Sequence, residues 1–250
     1  MEIQQYYYFI IPLIILQSIA GVGILVVGTP LLLLLNFSII EIMSFLLPIS
    51  IFTSVVNIFF IKLFNKNKLK FYLDNNIKKY FLFFCLPGIF LGINLIKNFQ
   101  DYFSFELLVS SIIIISLIIK YKYENLIKKI SAFYIKIILL IIGIIHGVSN
   151  SGGTLLSLFL VSSSDNKKNQ LRYQISFYYF FLALFQYLIF SYTFSNFINV
   201  NQLTLIVSFV FIGSLIGNLL NQAVNEIFFK RSIEFIAFLS SIFLLIKNFN

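Results

Sequence analysis

Charged residues are scarce in this chain, and acidic residues are the scarcest. Only 11% of the 250 residues are charged, whereas a soluble domain has about 25%. Of the nine acidic residues, Glu41 and Glu106 lie near the ends of hydrophobic runs and Asp165 lies in a loop. A carboxylate relay for protons or sodium ions inside a membrane therefore has no obvious carrier.

Two further absences narrow the chemistry. The single cysteine, Cys85, excludes an intrachain disulfide and a cysteine metal cluster. The nucleotide-binding pattern GxxxxGK followed by Ser or Thr is also missing, so ATP is not the direct energy source of any transport. We expect no cofactor and no bound metal.

What the chain has instead is hydrophobic residues, which make up 60% of it and give a mean hydropathy of +0.97. Because hydrocarbon leaves no water to pair with the backbone, membrane segments of this kind form helices. The fold class expected is an all-α polytopic membrane protein. The net charge of +9 does not indicate nucleic-acid binding, because the lysines lie at the ends of hydrophobic runs, where they set topology.

The hydrophobic runs number eight and are separated by short loops. They cover residues 6–35, 38–63, 77–97, 103–121, 130–161, 173–192, 202–220 and 232–248. Comparison of the two halves of the chain shows weak self-similarity at an offset of about half its length, which is typical of transporter repeats. Gly21-Val22 corresponds to Gly147-Val148, and Gly88-x-x-x-Gly92 corresponds to Gly213-x-x-x-Gly217. We therefore expect two four-segment repeats, 1–125 and 126–250, in one membrane domain.

The first segment of each half, about thirty residues, is longer than the roughly twenty that span a bilayer. It is either a re-entrant hairpin of two half-helices that meet at the glycines or a single long, tilted or broken span. Hairpins would invert the halves and place 16 basic residues in the cytoplasm and 2 outside, against 12 and 6 for single spans. The positive-inside rule favours inverted repeats.

The candidate site lies in the fifth segment, where a polar cluster interrupts the hydrophobic run. The cluster consists of His146, Gly147, Ser149, Asn150, Ser151, Gly152, Gly153 and Thr154. Polar groups at membrane depth are tolerated only where they are buried in protein or line a cavity. The side-chain donors, with N–H groups freed near the glycines, favour an anion site at the positive end of a half-helix. The alternative is a packing patch of small residues, which is also our interpretation of the Gly88/Gly92 and Gly213/Gly217 pairs.

Three further elements complete the candidate site. In the first half, Gly21, Gly23 and Gly28 break the helix and offer mainly backbone groups. His146, the only histidine, is able to donate to an anion or exchange a proton. Arg172, at the mouth of the sixth segment, is either a bidentate clamp for an oxyanion or a topology anchor.

At these residues the chain resembles the sulfite exporter TauE/SafE family, whose members have a glycine-rich motif near the start of each of two homologous halves. QSIAGVGILVVGTPLLLL at 17–34 resembles the first motif. GIIHGVSNSGGTLLSLFL at 143–160, followed by a polar loop and Arg172, resembles the second. Two departures are Ile24-Leu25, where small or aromatic residues are common, and Thr154, where proline is common. The resemblance implies a multi-pass permease of the bacterial inner membrane that exports sulfite, sulfonates or related small organic anions.

We expect the lipid bilayer and a small anionic solute as partners and no nucleic acid, while the sequence leaves a homodimer open. Two other functions are considered beside a secondary transporter. A membrane assembly or structural protein would pack the polar cluster against neighbours with no cavity. An intramembrane hydrolase would pair His146 with Ser149 or Ser151, although no acidic residue lies nearby to orient the histidine.

Inverted repeats predict that the N-terminus and the 191–201 loop face outward, while the 62–79, 120–136 and 163–172 loops are cytoplasmic. Cysteine accessibility scanning on a Cys85→Ser background measures this directly. A cysteine placed at Lys167 should react only after the membrane is permeabilised. Labelling of that position from the outside of intact cells would exclude the inverted arrangement.

Overall fold

Helices make up the regular structure of the described residues, and none of those residues is in a strand. The computed structural model describes residues 7–20, 24–64, 71–99, 104–127, 131–163, 167–195 and 200–249. The helices are α1 (Tyr7–Ala20), α2 (Ile24–Leu34), α3 (Ile39–Leu63), α4 (Asn75–Tyr80), α5 (Leu86–Phe99), α6 (Phe105–Ile127), α7 (Ala132–Ser149), α8 (Gly152–Ser163), α9 (Lys168–Phe194), α10 (Val200–Asn221) and α11 (Glu226–Phe249). The prediction of an all-helical chain is confirmed.

Several helices are long and apolar enough to cross a bilayer. In the described part of the chain, five meet this criterion by length and composition: Ile39–Leu63, Asn75–Phe99, Ala132–Ser149, Lys168–Phe194 and Leu203–Asn221. Shorter apolar helices lie at Phe9–Ile19, Ile24–Leu34 and Gly152–Ser163. These lengths and compositions fit a polytopic membrane protein.

The first hydrophobic segment of each half folds back on itself. A Cβ atom on Gly28 of α2 would lie 3.3 Å from Leu13 Cδ1 of α1, although in one straight helix these residues would be about 22 Å apart. In the second half, a Cβ atom on Gly152 of α8 would lie 2.8 Å from His146 Cα of α7. Within the described residues, each segment therefore forms two helices, α1–α2 and α7–α8, that pack together as a helical hairpin, and α7 is by itself long enough to span a bilayer.

Local chemistry sets the start of the third helix and a bend between the fourth and fifth. The Ser38 hydroxyl accepts the Glu41 N–H at 3.3 Å, and the Glu41 carboxylate accepts the Ser38 N–H at 2.8 Å, a capping box at the start of α3. Between α4 and α5, a π-helical turn covers Phe81–Cys85. It lies immediately before Leu86-Pro87, and the proline ring and missing N–H disturb regular hydrogen bonding in the preceding turn.

Helices of the first half pack chiefly on helices of the second half. Helices α3 and α9, which occupy equivalent places in the two halves, pack together extensively, and so do α6 and α11. Helix α5 packs on α7, and its counterpart α10 packs on α1. Helix α2 packs on α11, and α8 packs on α6. Each hairpin therefore contacts chiefly the helices of the other half.

Glycines allow the hairpins to approach the opposite half closely. A Cβ atom on Gly92 of α5 would lie 2.8 Å from Gly147 Cα of α7, and one on Gly217 of α10 would lie 2.5 Å from Ser18 Cβ of α1. Gly88 and Gly213 also have tight neighbours on the same two hairpins. The prediction that these glycine pairs serve close helix packing is confirmed.

The packing of α5 on α7 predicts a stability change on enlarging Gly92. Gly92→Leu should lower the free energy of unfolding by about 1–3 kcal/mol, because the added side chain meets main-chain atoms that cannot move aside. The thermal-unfolding midpoint of the purified protein in detergent measures this change. Phe90→Leu, at a side chain on the same helix that is 54% exposed, is the matched control and should leave the midpoint nearly unchanged. Equal midpoints for the two variants would contradict the packing.

Candidate functional site

The centre of the candidate site is the turn that joins α7 to α8. Asn150 ends α7 in the left-handed conformation, with φ of 61°, and its N–H donates to the His146 carbonyl at 3.0 Å. The same carbonyl accepts a hydrogen bond from Gln186 Nε2 of α9 at 2.8 Å. Asparagine tolerates this backbone conformation better than most residues. The turn is thus held both by its own backbone and by a side chain of α9.

Several polar side chains at this turn are buried without hydrogen-bond partners. Both amide atoms of Asn150 and the hydroxyl of Thr154 lack a hydrogen bond in the described structure. Both side chains are fully buried, as is His146, whose ring interacts with the backbone of Asn150. Because unpaired buried polar groups are costly and rare, this turn is the candidate binding site.

The hydroxyl groups of the two serines in the turn donate to backbone carbonyl groups. Ser149 Oγ donates to the Ile145 carbonyl at 2.8 Å, and Ser151 Oγ donates to the Ser149 carbonyl at 3.1 Å. Neither hydroxyl is hydrogen-bonded to His146. A serine nucleophile needs a base within hydrogen-bond reach, so the described geometry lacks the pairing that an intramembrane hydrolase would require.

The first turn of α8 points its backbone N–H groups toward the break. The Thr154 N–H donates to the Ser151 carbonyl at 3.0 Å, and Gly152 and Gly153 begin the helix. A helix N-terminus attracts negative charge. Here that attraction acts beside the unpartnered side chains of Asn150 and Thr154.

Gly152 and Gly153 are buried against neighbouring helices. A Cβ atom on Gly152 would meet His146, and one on Gly153 would lie 2.5 Å from Cζ and Oη of Tyr179 on α9. The Tyr179 ring occupies the space beside Gly153, so a larger residue there would disturb the packing of α8 on α9. Gly147 likewise packs on α5, where a Cβ atom would lie 2.9 Å from Gly92 Cα.

The first hairpin supplies a different environment. Gly21 and Gly23 lie outside the described residues. Gly28 is buried in α2 with apolar neighbours, since a Cβ atom there would lie 3.0 Å from Leu46 Cδ1. The backbone at this break is paired by side chains: the Ile24 N–H donates to Gln17 Oε1 at 3.2 Å, and Asn221 Nδ2 donates to the Ile19 carbonyl at 2.6 Å.

Arg172 contacts the first hairpin and is only 4% exposed. Its Nη2 donates to the Ser18 carbonyl at the end of α1 and to Asn218 Oδ1 of α10 at 2.8 Å. Asn218 Nδ2 in turn donates to Asn57 Oδ1 of α3 at 2.9 Å. Arg172, which we expected at the mouth of the sixth segment, is thus buried against the end of α1.

Helix α9 orders these groups along one face. Arg172, Tyr179 and Gln186 are separated by seven residues each, which places them on the same side of the helix. Arg172 and Gln186 are about 21 Å apart along the axis. Since one binds the end of α1 and the other the end of α7, the two breaks lie at different levels along α9. The returning helices α2 and α8 are in contact.

Sequence reasoning missed Tyr179, Gln186 and Asn57 as members of the site. Tyr179 and Gln186 follow Arg172 by seven and fourteen residues, and a polar residue repeated every two turns of a hydrophobic helix indicates a buried face. Asn57 had no such signal. It reaches Arg172 only through Asn218, which is 161 residues away in the chain.

A separate groove lies between α1, α2 and α11. It has a volume of about 620 Å³, and its walls include Leu16, Pro30, Phe235 and Phe243. Such a surface suits hydrocarbon rather than a charged solute. We therefore place the candidate site at the turn between α7 and α8 and not in this groove.

The sequence was compared with known proteins. Residues 9–244 match the family model described as Sulfite exporter TauE/SafE. No curated protein and no solved structure is significantly similar to the chain. The family match covers both hairpins and the helices packed against them.

The hydrogen bond from Gln186 to α7 predicts a local effect at the turn. Gln186→Leu should weaken the turn by about 1–2 kcal/mol, because the buried His146 carbonyl loses a donor. Hydrogen exchange of peptides that cover residues 143–152 should then be faster than in the wild type. Gln222→Leu, at an exposed position, is the control. Unchanged exchange in the Gln186 variant would show that the turn does not depend on α9.

Proposed function

This chain belongs to the sulfite exporter TauE/SafE family, whose model matches residues 9–244, and we propose that it exports a small anion such as sulfite or a sulfonate. It does so as a secondary transporter of the bacterial inner membrane. The observation that carries the proposal is the group of buried, unpartnered polar side chains at the turn between α7 and α8. In hydrocarbon such groups are retained for a solute rather than for stability.

An anion suits this group better than a cation does. The N-terminus of α8 and the amide, hydroxyl and imidazole donors of Asn150, Thr154 and His146 all stabilise negative charge. Arg172 adds a positive charge inside the protein, and none of the acceptors that it contacts is a carboxylate. A solute held by neutral donors binds reversibly, as a transported ion must.

We further propose that 1–125 and 126–250 are inverted repeats within one membrane domain. Three features support this: eight hydrophobic runs, a hairpin at the start of each half, and contacts in which equivalent helices exchange partners. Alternating access would follow from rocking of each hairpin against the helices of the opposite half. The close glycine contacts of α5 with α7 and of α10 with α1 would let the packed pairs move as units.

Sulfite efflux from proteoliposomes tests the role of the turn. Asn150→Ala and Thr154→Val should each reduce the efflux rate about five- to thirtyfold. This range corresponds to the loss of one partly buried dipolar contact of about 1–2 kcal/mol. Thr154→Val preserves side-chain volume, so that a decrease reports the hydroxyl and not a cavity.

Matched controls come from polar residues that are satisfied within their own helices. Asn94 Nδ2 donates to the Phe90 carbonyl at 2.8 Å, and Ser110 Oγ donates to the Leu107 carbonyl at 3.0 Å. Asn94→Ala and Ser110→Ala should retain wild-type efflux. Normal efflux in both turn variants would exclude an anion site there. A wild-type protein that moves none of sulfite, sulfoacetate, taurine, sulfate or small carboxylates would favour an assembly or structural role.

A further inference from the structure

The junction of α1, α9 and α10 contains a buried positive charge whose acceptors are neutral. Arg172 is 4% exposed, and its acceptors are a main-chain oxygen of Ser18 and the side-chain oxygen of Asn218. Neither oxygen carries a formal charge. Because a guanidinium group buried inside a protein is costly, it is normally paired or used for function.

Unused hydrogen-bond donors lie at the same junction. Nε of Arg172 and the hydroxyls of Ser18 and Ser214 are buried without a hydrogen bond in the described structure. Ser18 supplies one of the acceptors for Arg172, and Ser214 is joined to Asn218 by the hydrogen bond from Asn218 Nδ2 to the Ser214 carbonyl at 2.8 Å. The junction therefore combines one cation with three donors that have no acceptor among the described residues.

Such a set matches one kind of ligand. Nε of Arg172 and two hydroxyl groups donate, so the ligand must present several acceptor atoms and a negative charge. A compact oxyanion with three or more oxygens meets both requirements. Asn57 and Asn218, buried and bonded to each other, fix the wall of the junction on the side of α3.

We propose that the Arg172 junction is a second binding station for the transported oxyanion, separate from the turn between α7 and α8. The proposal rests on the function proposed above and adds a second position along α9. Arg172 and Gln186 mark the two stations, about 21 Å apart along the helix, with Tyr179 between them. The bound oxyanion accepts a hydrogen bond from Nε–H of Arg172, and its negative charge balances the positive charge of the guanidinium group.

Titration calorimetry of the purified full chain in detergent tests this. The anion used is whichever of sulfite, sulfoacetate, methanesulfonate or sulfate raises the thermal-unfolding midpoint most. The wild type should bind two anions per chain. Arg172→Lys keeps a charge but loses Nε and the planar fork, so it should weaken one of the two sites at least tenfold. Asn150→Ala should weaken the other site and leave the Arg172 station intact.

Ser214→Ala tests the same station by a change too small to prevent folding. It should weaken the site that Arg172→Lys weakens about five- to tenfold, as expected for one hydrogen bond to a charged ligand. Ser241→Ala is the control, because the Ser241 hydroxyl is buried but already donates to the Phe238 carbonyl at 2.7 Å. It should bind as the wild type does.

The possible results separate the two proposals. Binding of one anion that Asn150→Ala weakens, with wild-type binding in Arg172→Lys and Ser214→Ala, would overturn the second station while leaving the proposed function in place. Binding that weakens only in the Arg172 and Ser214 variants would support the station and count against the turn. If the wild type binds none of the four anions, both proposals fail. Anionic lipid is included in a parallel titration, and competition by phosphatidylglycerol at the Arg172 site would identify a lipid headgroup as its occupant and overturn the proposal.

Discussion

Every backbone group that a broken helix frees inside hydrocarbon must find a partner within the protein. The two hairpins meet this requirement in different ways. At the first, side chains of other segments pair with the backbone, through Arg172 and Asn221, and Gln17 adds a contact from within the hairpin. At the second, the turn pairs mainly with itself and with Gln186. The side chains of Asn150 and Thr154 take no part in this pairing.

The packing of each hairpin on the opposite half is the feature that suits the proposed transport function. Each hairpin contacts chiefly the helices of the opposite half. The residues where the helix backbones come closest are glycines. Under the proposed alternating access, a movement of one half would shift the hairpin of the other. Helix α9 contacts both hairpin ends through Arg172 and Gln186, so it would link the two breaks during such a movement.

Much of the fold follows from local features of the sequence. The hydrophobic runs predict the helices, their glycines predict the breaks, and the Gly-x-x-x-Gly spacing predicts the close packing on the opposite half. These depend on short-range patterns such as segment length and residue size. The polar cluster from His146 to Thr154 was also visible, because polar side chains are rare and costly inside a hydrophobic run.

The positions of Arg172 and Tyr179 could not be predicted in this way. Arg172 binds Ser18, which is 154 residues earlier in the chain, and its place depends on which half packs against which hairpin. Tyr179 lies against Gly153 of its own half, where α9 packs on α8. Such contacts depend on the three-dimensional pairing of segments, which neither the period of a helix nor its composition determines. The difference in level between the two breaks has the same origin.

The central claim is that the turn between α7 and α8 binds an anion. Selenite, the selenium analogue of sulfite, allows this to be seen directly by anomalous diffraction from crystals of the full chain. The account predicts a selenium peak within hydrogen-bond reach of Asn150 and the first turn of α8. Selenium found only at surface lysines, or none inside the protein at a concentration that inhibits transport, would contradict it.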